Sequence, residues 1–193
     1  MSENAAQKSL VNLQKILKWD DHFPENVFRG EWKEFFFFDP DWLFDATFVE
    51  NAKALLNWEG GACACVCNMD QADAKGDPQQ AVIFLDKDTS GETYRSTLAG
   101  PSPGVGWIFG MERYGITSDV GNWCIYCEKD NEIAVIAIRE GAKSRAFESV
   151  IQSFNALPIE RAIAMPPSYG LLPRSLRDDW RKRFLAAYGK KDQ

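Results

Sequence analysis

Trp123-Cys124-Ile125-Tyr126-Cys127-Glu128 and Glu132-Ile133-Ala134-Val135-Ile136-Ala137-Ile138-Arg139, joined by Lys129-Asp130-Asn131, decide the fold. Both runs are rich in β-branched and aromatic residues, and the three residues between them are polar turn formers, so the pair reads as an antiparallel hairpin. The second run is apolar at nearly every position, which suits a strand covered on both faces.

Working outward, Phe147, Val150, Ile151 and Phe154 fall at helical spacing, predicting a helix from about 143 to 155. Pro158, Pro166, Pro167 and Pro173 punctuate the next stretch, and Ser175 is placed to cap a last helix burying Leu176, Trp180, Phe184 and Tyr188. Upstream, Leu10, Val11, Leu13, Ile16 and Leu17 predict an opening helix over 6–18. Glu31 to Phe38 reads as a strand of aromatics, broken by Asp39-Pro40-Asp41. Thr47 and Glu50 form the T-x-x-E pattern of a capping box, opening a helix that runs to Trp58 and stops at Gly60-Gly61. Its buried face would be Phe48, Ala52, Leu55 and Leu56. Ala62–Cys67 and Ala81–Leu85 read as strands, and 68–80 as a polar loop. Asp86–Glu92 reads as a tight hairpin turn leading into a weaker strand, Thr93–Leu98, with a helical turn within 107–114. The expectation is one α+β domain over residues 1–193, a mostly antiparallel sheet flanked by helices.

Charge is distributed unevenly. Residues 20–59 carry ten acids against three bases, a net of -7, whereas the whole chain is -6. With Trp19 just before it, the same stretch holds four of the seven tryptophans and eight of the thirteen phenylalanines. Residues 60–138 add -6, and 139–193 are +5. An acidic body repels phosphate, so direct nucleic-acid binding is not expected. No apolar run approaches the roughly 18 residues of a membrane span, and the first residues lack a signal-peptide pattern. Cytoplasmic location is the expectation, and five cysteines, an odd number, fit reduced thiols there.

Motifs that would carry chemistry are incomplete. Gly100-Pro101-Ser102-Pro103-Gly104 matches G-x-S-x-G in letters, but Pro103 lacks the N–H of an oxyanion hole and no histidine comes after it. The single histidine, His22, lies among acids and reads as solvated or ion-paired. Cys63, Cys65 and Cys67 share one face of a strand, while Cys124 and Cys127 point to opposite faces, a poor arrangement for zinc. Asp86-Lys87-Asp88-Thr89-Ser90-Gly91 opens like a calcium loop but has Thr97 where the closing glutamate belongs. Gly104-Val105-Gly106 fails the spacing of a phosphate cradle. Arg174, Arg177, Arg181, Lys182 and Arg183 give the last helix a basic outer face, which reads as solvated or turned to the acidic body. No cofactor or metal is required by these patterns.

Four consecutive phenylalanines cannot share one face of a strand. Either both faces of that strand are covered, or two rings lie near the surface. Glu31, Glu34, Asp39, Asp41 and Trp42 are therefore the candidate partner-binding residues, Trp42 as anchor and the carboxylates as charge partners.

The hairpin from Gly121-Asn122-Trp123 through Tyr126 and Asp130 to Ile138 resembles one that recurs in bacterial immunity proteins, where a Trp-x-x-Tyr strand is followed by a turn and an apolar return strand. The families concerned are the SMI1/KNR4-like (SUKH) superfamily and related toxin-neutralising groups, and the resemblance covers about a tenth of the chain. It implies a non-catalytic protein that binds and blocks a cognate toxin inside the cell. An acidic chain suits a basic toxin or another basic protein. Two other readings stay open: a small hydrolase or nucleotide-modifying enzyme using a carboxylate pair, and a regulatory interaction module without a toxin partner.

Overall fold

A computed structural model describes residues 2–75, 77–101, 106–139, 145–164 and 178–189. Six strands form one sheet: β1 (Glu34–Phe38), β2 (Ala64–Asn68), β3 (Val82–Leu85), β4 (Arg113–Ser118), β5 (Trp123–Glu128) and β6 (Ile133–Ile138). Their order is β1-β6-β5-β4-β2-β3, and every pairing is antiparallel. The helices among the described residues are α1 (Glu3–Ile16), α2 (Phe48–Glu59), α3 (Met69–Lys75), α4 (Gly91–Ala99), α5 (Arg145–Ser153), α6 (Ile159–Ala164) and α7 (Asp178–Tyr188). This is an α+β fold, and none of these helices is long and apolar enough to cross a membrane.

The hairpin sits at the centre, with Trp123 facing Ile138 and Glu128 facing Ile133 in register. All six residues of each of its strands are buried. That burial comes from helices on both sides. One core holds Trp123, Ile125, Cys127, Ala134, Ile136 and Ile138 with α2, α4 and α5; the other holds Cys124, Tyr126, Val135 and Ala137 with α1, α6 and α7.

The same two layers resolve the phenylalanine run. Phe36 and Phe38 pack into the first core, and Phe35 and Phe37 into the second, so both faces of β1 are covered. Phe38 stacks on Phe154 of the α5 end at 4.6 Å, and Phe37 meets Phe184 of α7 edge-on at 5.0 Å. Although β1 lies at the sheet edge, Phe37 exchanges backbone hydrogen bonds with Leu157 on its outer side. An occupied edge is a poor template for another strand.

Several elements differ from the sequence reading. The segment 68–80 is not a loop: Asn68 Oδ1 accepts from Gln71 N at 3.0 Å and starts α3. Thr93–Leu98 is not a strand but most of α4, capped by Ser90, whose Oγ accepts from Thr93 N. Asp86–Glu92 is accordingly a strand-to-helix connection rather than a hairpin turn. The helical turn in 107–114 is confined to 107–109, and the chain continues as β4, a central strand the periodicity concealed. The capping box is absent, because Thr47 is itself helical in backbone angle. Asp45 Oδ1 takes Thr47 N and Oγ1 instead, while Glu50 pairs with Lys53. Gly60 does end α2, in the left-handed conformation at φ 73°. The aromatic strand begins at Glu34 rather than Glu31. The Ser175 cap, Leu176, Arg174, Arg177 and the Ser102–Gly104 part of the G-x-S-x-G match lie outside the described residues.

Candidate functional site

β1 separates the five candidate binding residues. Glu31 and Glu34 lie at the end where β1 meets Ile138; Asp39, Asp41 and Trp42 come after Phe38, which pairs with Ala134 near the β5–β6 turn. A strand of this length holds the two groups about 13 Å apart. Around Glu31 the charges alternate, with Lys33 exposed beside it and Arg139 stacked over Trp32 at 4.6 Å.

The other end is predominantly acidic. Asp39 and Asp41 are exposed, and Asp39 Oδ1 accepts from Asp41 N at 2.9 Å to fix the 3-10 turn of 40–44. The β5–β6 turn adds Asp130 and Glu132, both exposed. Phe38 lies opposite Ala134 and Glu128 opposite Ile133, so the 39–41 turn and the β5–β6 turn lie at the same end of the sheet. The cation at the turn is turned inward: Lys129 Nζ donates to Ile108 O at 2.8 Å and lies 4.2 Å over the Phe44 ring. Trp42 is half-buried against the first core, so part of its side chain is left to solvent.

Below this end, on the α1 side of the sheet, lies a polar cluster that spacing did not reveal. Arg113, 8% exposed, opens β4. Its Nε donates to Asp70 Oδ1 at 2.6 Å, its Nη1 to Trp19 O at 2.6 Å and its Nη2 to Asp73 Oδ2 at 3.1 Å, and its backbone N donates to Asp70 Oδ2 at 2.8 Å. Burial works against the guanidinium charge, but hydrogen bonding and charge from Asp70, with Asp73, outweigh it and raise its pKa. Opposite Arg113 in register is Glu128, 1% exposed. Glu128 Oε1 accepts from Phe23 N at 2.8 Å and Tyr126 Oη at 2.7 Å, and Asn131 Nδ2 donates to Oε2. Burial, reinforced by Glu128, drives the Tyr126 phenol far above its ordinary pKa. His22 Nδ1 lies 3.7 Å from Glu128 Oε1, with its side chain 58% exposed. Glu128 thus meets three donors and serves to tie the 19–25 segment to the sheet.

The five cysteines are buried thiols outside any disulfide. Cys65, Cys67 and Cys124 line the second core, and Cys127 the first, as strand alternation requires. Burial raises Cys63 to about 11 and Cys65 to about 12. Cys65 and Cys124 each pair with Thr117 from opposite sides, two strand spacings apart, too far for a disulfide. Among the described residues no three His, Cys, Asp or Glu side chains converge as metal ligands. The thiols are therefore expected to resist an aromatic disulfide reagent in the folded protein and to react fully after denaturation. Rapid native labelling would contradict their placement in the core.

Two surface depressions accompany these features. One, of about 380 Å³, is lined by Gln14, Trp19, Ala72, Asp73 and Pro78; the other, of about 330 Å³, by Glu3, Ala6, Gln7, Gln79 and Phe84. Neither brings two carboxylates together among the described residues.

Against models of known protein families, curated proteins and solved structures, the chain has no match.

Proposed function

We propose that the protein is an immunity-type binding protein that neutralises a cognate basic toxin in the cytoplasm through its acidic sheet end. The observation that carries this reading is the gathering of Asp39, Asp41, Asp130 and Glu132 at one end, with the half-buried Lys129 engaged by the Ile108 carbonyl and the Phe44 ring. Exposed like charges gain nothing from one another. Grouped, they steer a basic partner and reject acidic ones. Glu31 and Glu34 stand apart in mixed charge, so the binding surface centres on Asp39 and Asp41 and extends to the β5–β6 turn. Trp42 supplies apolar area at its margin.

Co-expression tests the reading. The product of the adjacent reading frame is expected to arrest growth, and this chain to restore it. The Asp39→Lys, Asp41→Lys, Asp130→Lys variant is expected to fold and fail to restore growth. Equal rescue by the variant would remove the acidic end from the reading. A harmless neighbouring product would remove the toxin.

A further inference from the structure

We propose that the depression between α1 and α3 receives a guanidinium or ammonium side chain from the basic partner, an inference that rests on the binding reading above. The depression measures about 380 Å³ and is lined by Gln14, Trp19, Ala72, Asp73 and Pro78. That space exceeds the head of an arginine or lysine side chain and leaves room for its aliphatic stem.

Its chemistry suits a cation in three ways. Trp19 is half-buried with Nε1 out of contact with solvent, so it offers ring carbon rather than a hydrogen-bond donor. An indole face attracts a cation more strongly than the other aromatic rings. Asp73 keeps half of its side chain exposed, so its carboxylate retains an open side although Arg113 Nη2 holds it at 3.1 Å. Arg113 is itself shared between Asp70 and Asp73, two carboxylates to one guanidinium, so the wall keeps net negative charge. Ala72 and Pro78 provide the apolar sides along which the stem of a long cationic chain can lie.

Position fits the same partner. α3 continues directly from β2 at Asn68, which pairs with Tyr114 beside Arg113. The depression therefore opens at the sheet end that also carries the β5–β6 turn. A basic partner spread across Asp39, Asp41 and Asp130 can place one long side chain here.

The test uses the full chain labelled with nitrogen-15. Ethylguanidinium is the probe, and ethylurea, of similar shape without charge, is the control. Ethylguanidinium is expected to give a saturable shift of the Trp19 indole N–H resonance, assigned through Trp19→Phe, and ethylurea none. Asp73→Asn should weaken the probe about three- to fivefold, the range of a partly exposed charge pair. Gln14→Lys, which places a cation at the rim without touching Arg113, should abolish its binding and weaken the partner. Absent saturation, or equal response to ethylurea, overturns the cation site. Probe binding with an unchanged partner affinity in Gln14→Lys overturns the side-chain source and leaves a small-amine site. The probe arm contains no partner, so its outcome is separate from failure of the toxin reading, which the growth assay reports.

Discussion

Replacing Arg113 with leucine is expected to cost about 2–3 kcal/mol of stability, the loss when charge-assisted hydrogen bonds are removed and a carbonyl is left without its donor, since Asp70 and Asp73 can themselves turn to solvent. Arg113 joins three separated segments: Asp70 and Asp73 of α3, the Trp19 carbonyl after α1, and its own strand β4. Without it, the Trp19 carbonyl loses its donor and the carboxylates repel each other beside buried Glu128. In a chain of this size, such a loss lowers the melting temperature by roughly 4–12 °C. Lysine should recover only part of it, because one ammonium cannot reproduce a fork to two carboxylates and a carbonyl. The measurement is the urea midpoint of the three proteins. A leucine variant within about 1 kcal/mol of wild type would mean the cluster is surface decoration.

Trp123→Ala is expected to remove about 3–5 kcal/mol, as for other large aromatic truncations in a core. Trp123 is fully buried at the start of β5 and its Nε1 donates to Glu59 Oε1 at 2.7 Å, joining the sheet to the end of α2. Trp123→Phe separates volume from hydrogen bond, because it keeps the ring and leaves Glu59 one donor short. Burial already holds the Glu59 pKa above its ordinary value, partly offset by hydrogen bonds from Ser118, Asn122 N and Trp123. A carboxyl with a raised folded pKa stabilises the protein at acid pH, and that contribution fades as pH rises through the folded value. Losing the indole donor raises it further. The phenylalanine variant should therefore lie closest to wild type near pH 4 and fall away toward pH 7. Denaturant titrations across that range check this, and a pH-independent difference would mean the bond contributes nothing.

The hairpin was legible because its return strand, Ile133–Ile138, is a continuous apolar run that only two-sided burial explains. β4 was not. Arg-Tyr-Gly-Ile-Thr-Ser looks like a surface segment, and each departure from apolar character has a remote cause. Arg113 is matched by Asp70, Thr117 Oγ1 donates to Trp123 O, and Gly115 admits α1 so closely that a Cβ there would stand 2.7 Å from Leu17 Cδ1. α4 misled through composition: Thr93, Tyr94 and Thr97 favour strands, but Ser90 caps the turn and Tyr94 Oη reaches Leu43 O across the fold. The cap was present in the letters. So was Asn68 with Gln71, read as loop because the acids and glycine nearby suggested one.

The candidate site divides the same way. Composition placed acid beside aromatic in 31–42, but not the pairing of β1 with β6 that sends Glu31 and Asp39 to opposite ends. Nor did it bring the 39–41 turn to the same sheet end as Asp130, nearly ninety positions later.

The most direct measurement is the affinity of the purified chain for the toxin proposed above, by calorimetry at low and high salt. Binding through the Asp39–Asp41–Asp130 end requires affinity to fall with salt, and the triple lysine variant to bind about a hundredfold more weakly or worse. Salt-independent binding, unchanged by the triple reversal, would contradict it.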